Sequence, residues 1–190
     1  TITDWLGPRP VGQIDVRLSR TNGATWDAPQ RLTTSARALR LSLRISGTAL
    51  HLVWMDFRNG QWDLYYRRSL DAGVTWQPEV RLVIGTNAVG VERPGLAVAG
   101  NFVQIVWMDA RDNLAPCEME GNRTLPTCTE IYTKRSTDGG ATWGPDQRLT
   151  TDLPYSGRPD LEFAGSLALV VYDHRVAGTP CTSGANTSDT

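Results

Sequence analysis

Three arginines, Arg40, Arg93 and Arg158, open three look-alike segments of the chain, and each segment runs on into an apolar stretch ending near an aspartate: Asp56, Asp109 and Asp173. A second arginine follows each aspartate: Arg58, Arg111 and Arg175. These are the residues whose types and spacing could do chemistry. A guanidinium group offers its donors in a planar fork that matches a carboxylate with two parallel hydrogen bonds, so arginines gathered in one place would hold an acidic ligand. The alternative is architectural. Each arginine pairs with the aspartate of its own or a neighbouring unit, a clamp repeated because the fold repeats, and pairing is how such charges are normally accommodated.

Either reading needs elements that carry the arginines and aspartates to one end of the molecule. Arg40 to Gly47, Arg93 to Gly100 and Arg158 to Gly165 read as alternating strands that stop at a turn glycine. Each leads into a β-rich apolar strand, Leu52-Val-Trp54-Met-Asp56, Ile105-Val-Trp107-Met-Asp109 and Val170-Val-Tyr172-Asp173. Arg40 and Arg93 lie 53 residues apart, as do Asp56 and Asp109. Equal offsets argue for true repetition. Third strands follow at Asp63 to Arg68 and Glu130 to Arg135.

An eight-residue box comes next in each unit. Its two intact copies are built on Ser69, Asp71, Gly73, Thr75 and Trp76, and on Ser136, Asp138, Gly140, Thr142 and Trp143. A degenerate copy, Ser19 to Trp26, has Thr21 in the aspartate position. An Arg-Leu pair follows each box: Arg31-Leu32, Arg81-Leu82 and Arg148-Leu149. The box aspartates can accept hydrogen bonds from turn amides, its glycines permit positive φ, and its tryptophans can pack between units. One carboxylate per turn is a poor cage for a hard cation, so the boxes read as structural.

The 190 residues are 40% hydrophobic and 21% charged, with 18 Gly, 11 Pro and 7 Trp, a balance that favours short strands joined by turns. An all-β fold follows, a β-propeller of four-stranded antiparallel blades. Residues 1–34 read as the second half of a blade, 35–83 and 84–150 as complete blades, and 151–190 as the first half of a blade with a tail. About three blades' worth of chain is fewer than the four to eight that close a ring. The expectation is therefore either a fragment or half of a six-bladed ring that a second copy completes as a homodimer. Alternating strand direction sends Arg40, Arg93, Arg158, Asp56, Asp109 and Asp173 to one face, the top, with the boxes at the bottom.

Composition narrows the partners. A net charge of −1 offers no basic footprint for nucleic acid. No apolar run approaches the roughly 20 residues a spanning helix needs, so no membrane span is expected. No cofactor and no metal site is expected, because no His lies near a Cys with zinc-ligand spacing. Cys117 and Cys128 flank a loop rich in Pro, Asn and Thr, where a loop-closing disulfide is the simple reading and free thiols the other. Cys181 is left over. With the sequons at Asn122 and Asn186, this points to a secreted, cell-surface or periplasmic protein.

The pattern Ser-x-Asp-x-Gly-x-Thr-Trp in the two intact boxes resembles the Asp-box, or bacterial neuraminidase repeat, of sialidases and related propellers. The resemblance implies that the box lies between the third and fourth strands of a blade, away from the active site. It also implies that Arg40, Arg93 and Arg158 are candidate ligands for the carboxylate of an acidic sugar, as in the arginine cluster of sialidases. The Tyr-Glu nucleophile pair of that family cannot be assigned here. Tyr155, Tyr172, Glu92 and Asp109 could be near the top face, but their spacing singles out no pair, and Tyr172 reads as the packing equivalent of Trp54 and Trp107. The expected function is a glycan-recognition or protein-interaction module. An exo-sialidase or related glycoside hydrolase is the alternative, and a purely structural or assembly propeller the third.

Overall fold

The computed structural model describes residues 12–86, 91–112, 117–119, 123–125, 129–151 and 156–174, and these form β-strands joined by turns. Among the described residues no helix is long and apolar enough to cross a membrane. Strands β1 (Asp15–Val16) and β2 (Gln30–Arg31) make a two-stranded opening sheet. Strands β3 (Ala38–Ser46), β4 (Ala49–Asp56), β5 (Asp63–Ser69) and β6 (Val80–Val83) form the first complete blade, in that spatial order. The second blade holds β7 (Val91–Ala99), β8 (Phe102–Asp109), β11 (Glu130–Ser136) and β12 (Gln147–Arg148), with a small hairpin, β9 (Cys117–Met119) and β10 (Arg123–Leu125), inserted after β8. Strands β13 (Ser156–Ala164) and β14 (Leu167–His174) make a two-stranded closing sheet. All the strand pairings are antiparallel.

This is the β-propeller arrangement of blades. The first strands β3, β7 and β13 lie next to one another, which places them around the axis. They approach closely: a Cβ on Gly95 of β7 would lie 3.5 Å from the Pro159 carbonyl of β13.

The core lies between the blades. One cluster joins Ile14 and Leu32 of the opening sheet to Leu52, Trp54 and Tyr65 of the first blade. A larger one joins Val53, Met55, Leu64 and Tyr66 to Leu96, Ile105, Trp107 and Tyr132 of the second blade, and a third joins Val106, Met108 and Ile131 to Leu161 of β13. Trp54 and Trp107 are fully buried and stack on Tyr65 and Tyr132, each with ring centroids 5.9 Å apart. Each such burial contributes on the order of 2 to 3 kcal/mol. That suits a fold whose single blades cannot cover both faces of their own sheet.

The box hairpins lock neighbouring blades together. Ser69 Oγ accepts from the Gly73 amide and donates to Asp71, whose carboxylate accepts from the amide and hydroxyl of Thr75. Those bonds hold the exposed Asp71 carboxyl down at about 2, with the Thr75 hydroxyl the largest cause. Ser136, Asp138, Gly140 and Thr142 repeat the network. The second hairpin is pressed onto the first blade: Trp143 meets the Tyr66 ring edge-on at 5.0 Å, and Arg68 donates to the Gly139 carbonyl. Gly140, at φ 80°, lies so close that an added Cβ would fall 2.0 Å from the Tyr66 hydroxyl. In the degenerate first box Thr21 substitutes for the aspartate by bonding the Thr25 amide and hydroxyl.

Candidate functional site

The three recurrent arginines do not begin their strands. Pairing starts two residues earlier, at Ala38, Val91 and Ser156, and then breaks. The register shifts between Leu39 and Ser42, between Glu92 and Gly95, and between Gly157 and Asp160, so that two residues of the first strand face one of the second. The first residue of each bulge is the arginine, with φ of 50° at Arg40, 50° at Arg93 and 48° at Arg158. Left-handed backbone at a residue with a Cβ costs roughly 1 to 2 kcal/mol. The second bulge residue is Leu41, Pro94 or Pro159, and proline suits a place that needs no ladder donor. The bulge breaks strand alternation and leaves all three arginines exposed beside the axis.

Asp56 and Asp109 are engaged by other partners. Asp56 is fully buried, and its carboxylate accepts from the Trp54 indole at 3.2 Å, from the Arg58 amide at 2.9 Å and from the Arg58 guanidinium at 2.6 Å. Burial by itself would raise this carboxyl, but the hydrogen bonds from Arg58, Ser35 and Trp54 outweigh it and hold it low. Arg58 reaches on to Glu79 and to Thr34, in the segment between β2 and β3, and it covers the Tyr65 ring at 4.0 Å. In the second blade Asp109 takes the Trp107 indole at 2.9 Å and Arg111 at 2.6 Å, while Arg111 also binds Asp146 and covers Tyr132. Burial works against the charge on Arg58 and Arg111, and the carboxylates more than offset it, raising both. The architectural clamp therefore exists, but Arg58 and Arg111 make it, not Arg40 and Arg93.

The third unit departs from the expected equivalence. Val171 opposes Asp160 as Val53 opposes Ser42 and Val106 opposes Gly95. Counting from there, Tyr172 matches Trp54 and Trp107, as the sequence pattern predicts, but His174 stands in the place of Asp56 and Asp109. Asp173 is shifted by one residue to the position of Met55 and Met108, because the third second strand lacks the residue that separates Trp from Asp in the other two. From there it makes a loose, exposed ion pair with Arg158 at 3.5 Å. Among the described residues Arg40 and Arg93 have no ion pair or hydrogen bond from the side chain. Arg175, Tyr155, Cys128 and Cys181 lie outside the described residues, and so does the Cys117–Cys128 pairing.

Two buried acids escaped the sequence reading. Asp63 at the start of β5 pairs with Arg81 at 2.8 Å, and Glu130 at the start of β11 pairs with Arg148 at 2.8 Å. The recurrent Arg-Leu after each box was their signal. The Tyr132 hydroxyl donates to Asp112, and in the first blade Asn59 donates to the Tyr65 hydroxyl at 2.8 Å. The same geometry in both blades marks these tyrosines as structural. Among the described residues no three His, Cys, Asp or Glu side chains gather as a metal site.

No protein-family model matches the chain, and no curated protein matches it in sequence. Solved structures do. The α-L-arabinanase of Penicillium chrysogenum, complexed with arabinobiose, superposes with a TM-score of 0.52 at 17% identity, over 88% of this chain and 51% of the arabinanase. The sialidase of Trypanosoma rangeli gives a TM-score of 0.37 at 12% identity, over 89% of this chain and 38% of the sialidase. The chain thus spans about half the length of the arabinanase, and the first likeness places it in the β-propeller fold that propeller glycoside hydrolases use.

Proposed function

We propose that this propeller is a recognition module for acidic glycans, which it holds by the carboxylate at Arg40, Arg93 and Arg158 on the top face. One observation carries the reading. The bulge arginines of three adjacent first strands are exposed and held in a costly backbone conformation, and Arg40 and Arg93 have no acidic partner among the described residues, whereas Arg58, Arg81, Arg111 and Arg148 are all spent on carboxylates. Conformational cost kept at equivalent positions beside the axis is intelligible if the side chains serve a ligand. A carboxylate fits because each fork can bind it with two charge-assisted hydrogen bonds. A sugar fits because the fold is one that carbohydrate-active propellers share.

Recognition without turnover is the reading because the tyrosines of the two complete blades, Tyr65, Tyr66 and Tyr132, are buried and committed to Asn59, His51 and Asp112, while the exposed Tyr172 of β14 stands in the place of the packing residues Trp54 and Trp107. Titration of sialyllactose and of uronic-acid oligosaccharides against their neutral counterparts tests the proposal. The acidic sugars should bind and the neutral ones should not. Arg93→Ala should weaken binding about 10- to 100-fold, and Arg93→Lys should recover little of it, because an ammonium lacks the fork. Equal binding of neutral sugars, or an Arg93→Ala variant that binds unchanged, would refute it. Release of a fluorophore from a sialoside would turn the reading towards hydrolysis.

A further inference from the structure

Three backbone carbonyls play one part in the repeat. The amide that opens each first strand, on Ala38, Val91 or Ser156, donates to Gly12 at 2.9 Å, to Trp62 at 3.3 Å or to Thr129 at 2.8 Å. Trp62 and Thr129 each stand one residue before the third strand of a blade. Glycine and threonine suffice for this contact, so the large side chain of Trp62 is not something the repeat requires. A second replacement accompanies it. Phe57 follows Asp56 where the second blade has Ala110 after Asp109. The loop that crowns the first blade thus carries two aromatic rings in the places where the second blade buries only Ala110 and Thr129.

The two rings form one unit. Phe57 is buried and meets Trp62 edge-on with centroids 5.0 Å apart, while Trp62 is half-buried and keeps part of its surface in solvent. A buried ring against its neighbour restricts the indole to few rotamers and so prepares its open surface for a ligand. Trp62 also lies between two of the bulge arginines. Val91, which bonds the Trp62 carbonyl, is two residues before Arg93, and Leu39, packed with Trp62 against the same core cluster, is immediately before Arg40. The exposed Arg37 stands over the Phe57 ring at 6.0 Å and adds a further cation to this end.

We infer that Trp62 is a sugar-binding residue, which stacks on the ring of the acidic sugar whose carboxylate Arg40 and Arg93 hold. This rests on the carboxylate reading above and narrows it. One face of a pyranose ring presents mainly C–H bonds, which are apolar and weakly positive, and the face of an indole is apolar and negative, so the two surfaces complement one another. Because the indole adjoins the arginines, the carboxylate belongs to the stacked ring itself. The ligand class is therefore a ring-borne sugar acid, a uronic or a sialic acid, and not an open-chain acid or a sugar with its charge on a distant arm. The replacement also sets the place of the ring. It lies between the Arg40 and Arg93 strands, because between Arg93 and Arg158 the equivalent residues Ala110 and Thr129 are buried and offer no such surface.

Probes of equal charge test this: the methyl glycosides of glucuronic acid and of sialic acid, whose rings are closed, and gluconate, which has none. NMR titration, which reads weak affinities, should show the parent binding at least one of the glycosides about 10-fold more tightly than gluconate, since stacking adds to what the carboxylate provides. Trp62→Leu keeps an apolar cover over the core but no flat face, and Trp62→Phe keeps both. The first variant should lose the 10-fold preference while binding gluconate as the parent does, and the second should retain most of it. A Trp62→Leu variant that holds the glycoside as tightly as the parent overturns the inference. Equal weakening of glycoside and gluconate overturns it too, and assigns Trp62 to the scaffold. Arg93→Ala, measured alongside, tests the underlying reading separately and should weaken all the probes alike. A parent that binds no probe, or an Arg93→Ala variant that binds them unchanged, refutes the carboxylate site and the stacked ring together, whereas loss with Arg93→Ala but not with Trp62→Leu refutes the ring alone.

Discussion

At the scale of single residues, the same side-chain type plays opposite parts two strand-ends apart. Arg58 and Arg111 fill a pocket of charge prepared by Asp56, Glu79, Asp109 and Asp146, while Arg40 and Arg93 project from a backbone that most residues avoid. Spacing made both sets visible but could not tell them apart, because an arginine at positive φ leaves no mark in the sequence. The prolines at 94 and 159 were the nearest thing to one. If the side chain is there for a ligand, the fold should be better off without it. Arg40→Gly removes the steric cost of the left-handed conformation and should stabilise the chain by up to about 1 kcal/mol, after the added entropy of the unfolded chain is counted. For a chain of this size that is about 2 to 4 °C in Tm. Binding of the acidic sugar should weaken in the same variant. Calorimetry showing a lower Tm would instead assign Arg40 to the scaffold.

At the scale of elements, β4 and β5 meet the second box hairpin around one buried pair. His51 is 1% exposed, and its Nδ1 lies 2.7 Å from the Tyr66 hydroxyl, whose ring carries Trp143 of the next blade. Burial first, and Arg68 second, lower His51 to about 4. The unfolded chain takes up this proton near 6.5, so between 6.5 and 4 the unfolded state binds more protons and stability rises with pH. The contribution is complete above 6.5 and is lost as pH falls towards 4. By pH 5 the loss should be about 2 kcal/mol. Urea unfolding at pH 7 and pH 5 checks it, with His51→Gln as the reference that removes this titration and leaves the other acids in place. An equal pH dependence in parent and variant would show that His51 is not buried neutral. No partner for the histidine was legible in the sequence, because Tyr66 meets it only through the cross-strand pairing of β4 with β5, which places Val53 opposite Tyr66 and His51 diagonally beyond. The box hairpins, by contrast, were legible down to their hydrogen bonds, since every partner lies within four residues of Asp71 or Asp138.

At the scale of the whole molecule, repetition made the blades readable and concealed their differences. Tyr172 carries the pattern of Trp54 and Trp107, yet it is 42% exposed where they are fully buried, because burial in a propeller comes from the neighbouring blade and not from the strand itself. The slip of Asp173 was legible, since Tyr172-Asp173 lacks the Met that separates Trp from Asp in the other units, but only the pairing shows that His174 takes the place of Asp56 and Asp109. A chain whose cover comes from neighbours should have stability graded along the arc. Hydrogen exchange at low concentration should be slowest in 50–56, 103–109 and 131–136, where strands are paired on both edges and packed on both faces, and fastest in 15–31 and 167–174. Adding an acidic sugar should slow exchange in the segments around Arg40, Arg93 and Arg158 and leave the box hairpins unchanged, and slowing confined to the hairpins would instead move the ligand away from the bulge arginines.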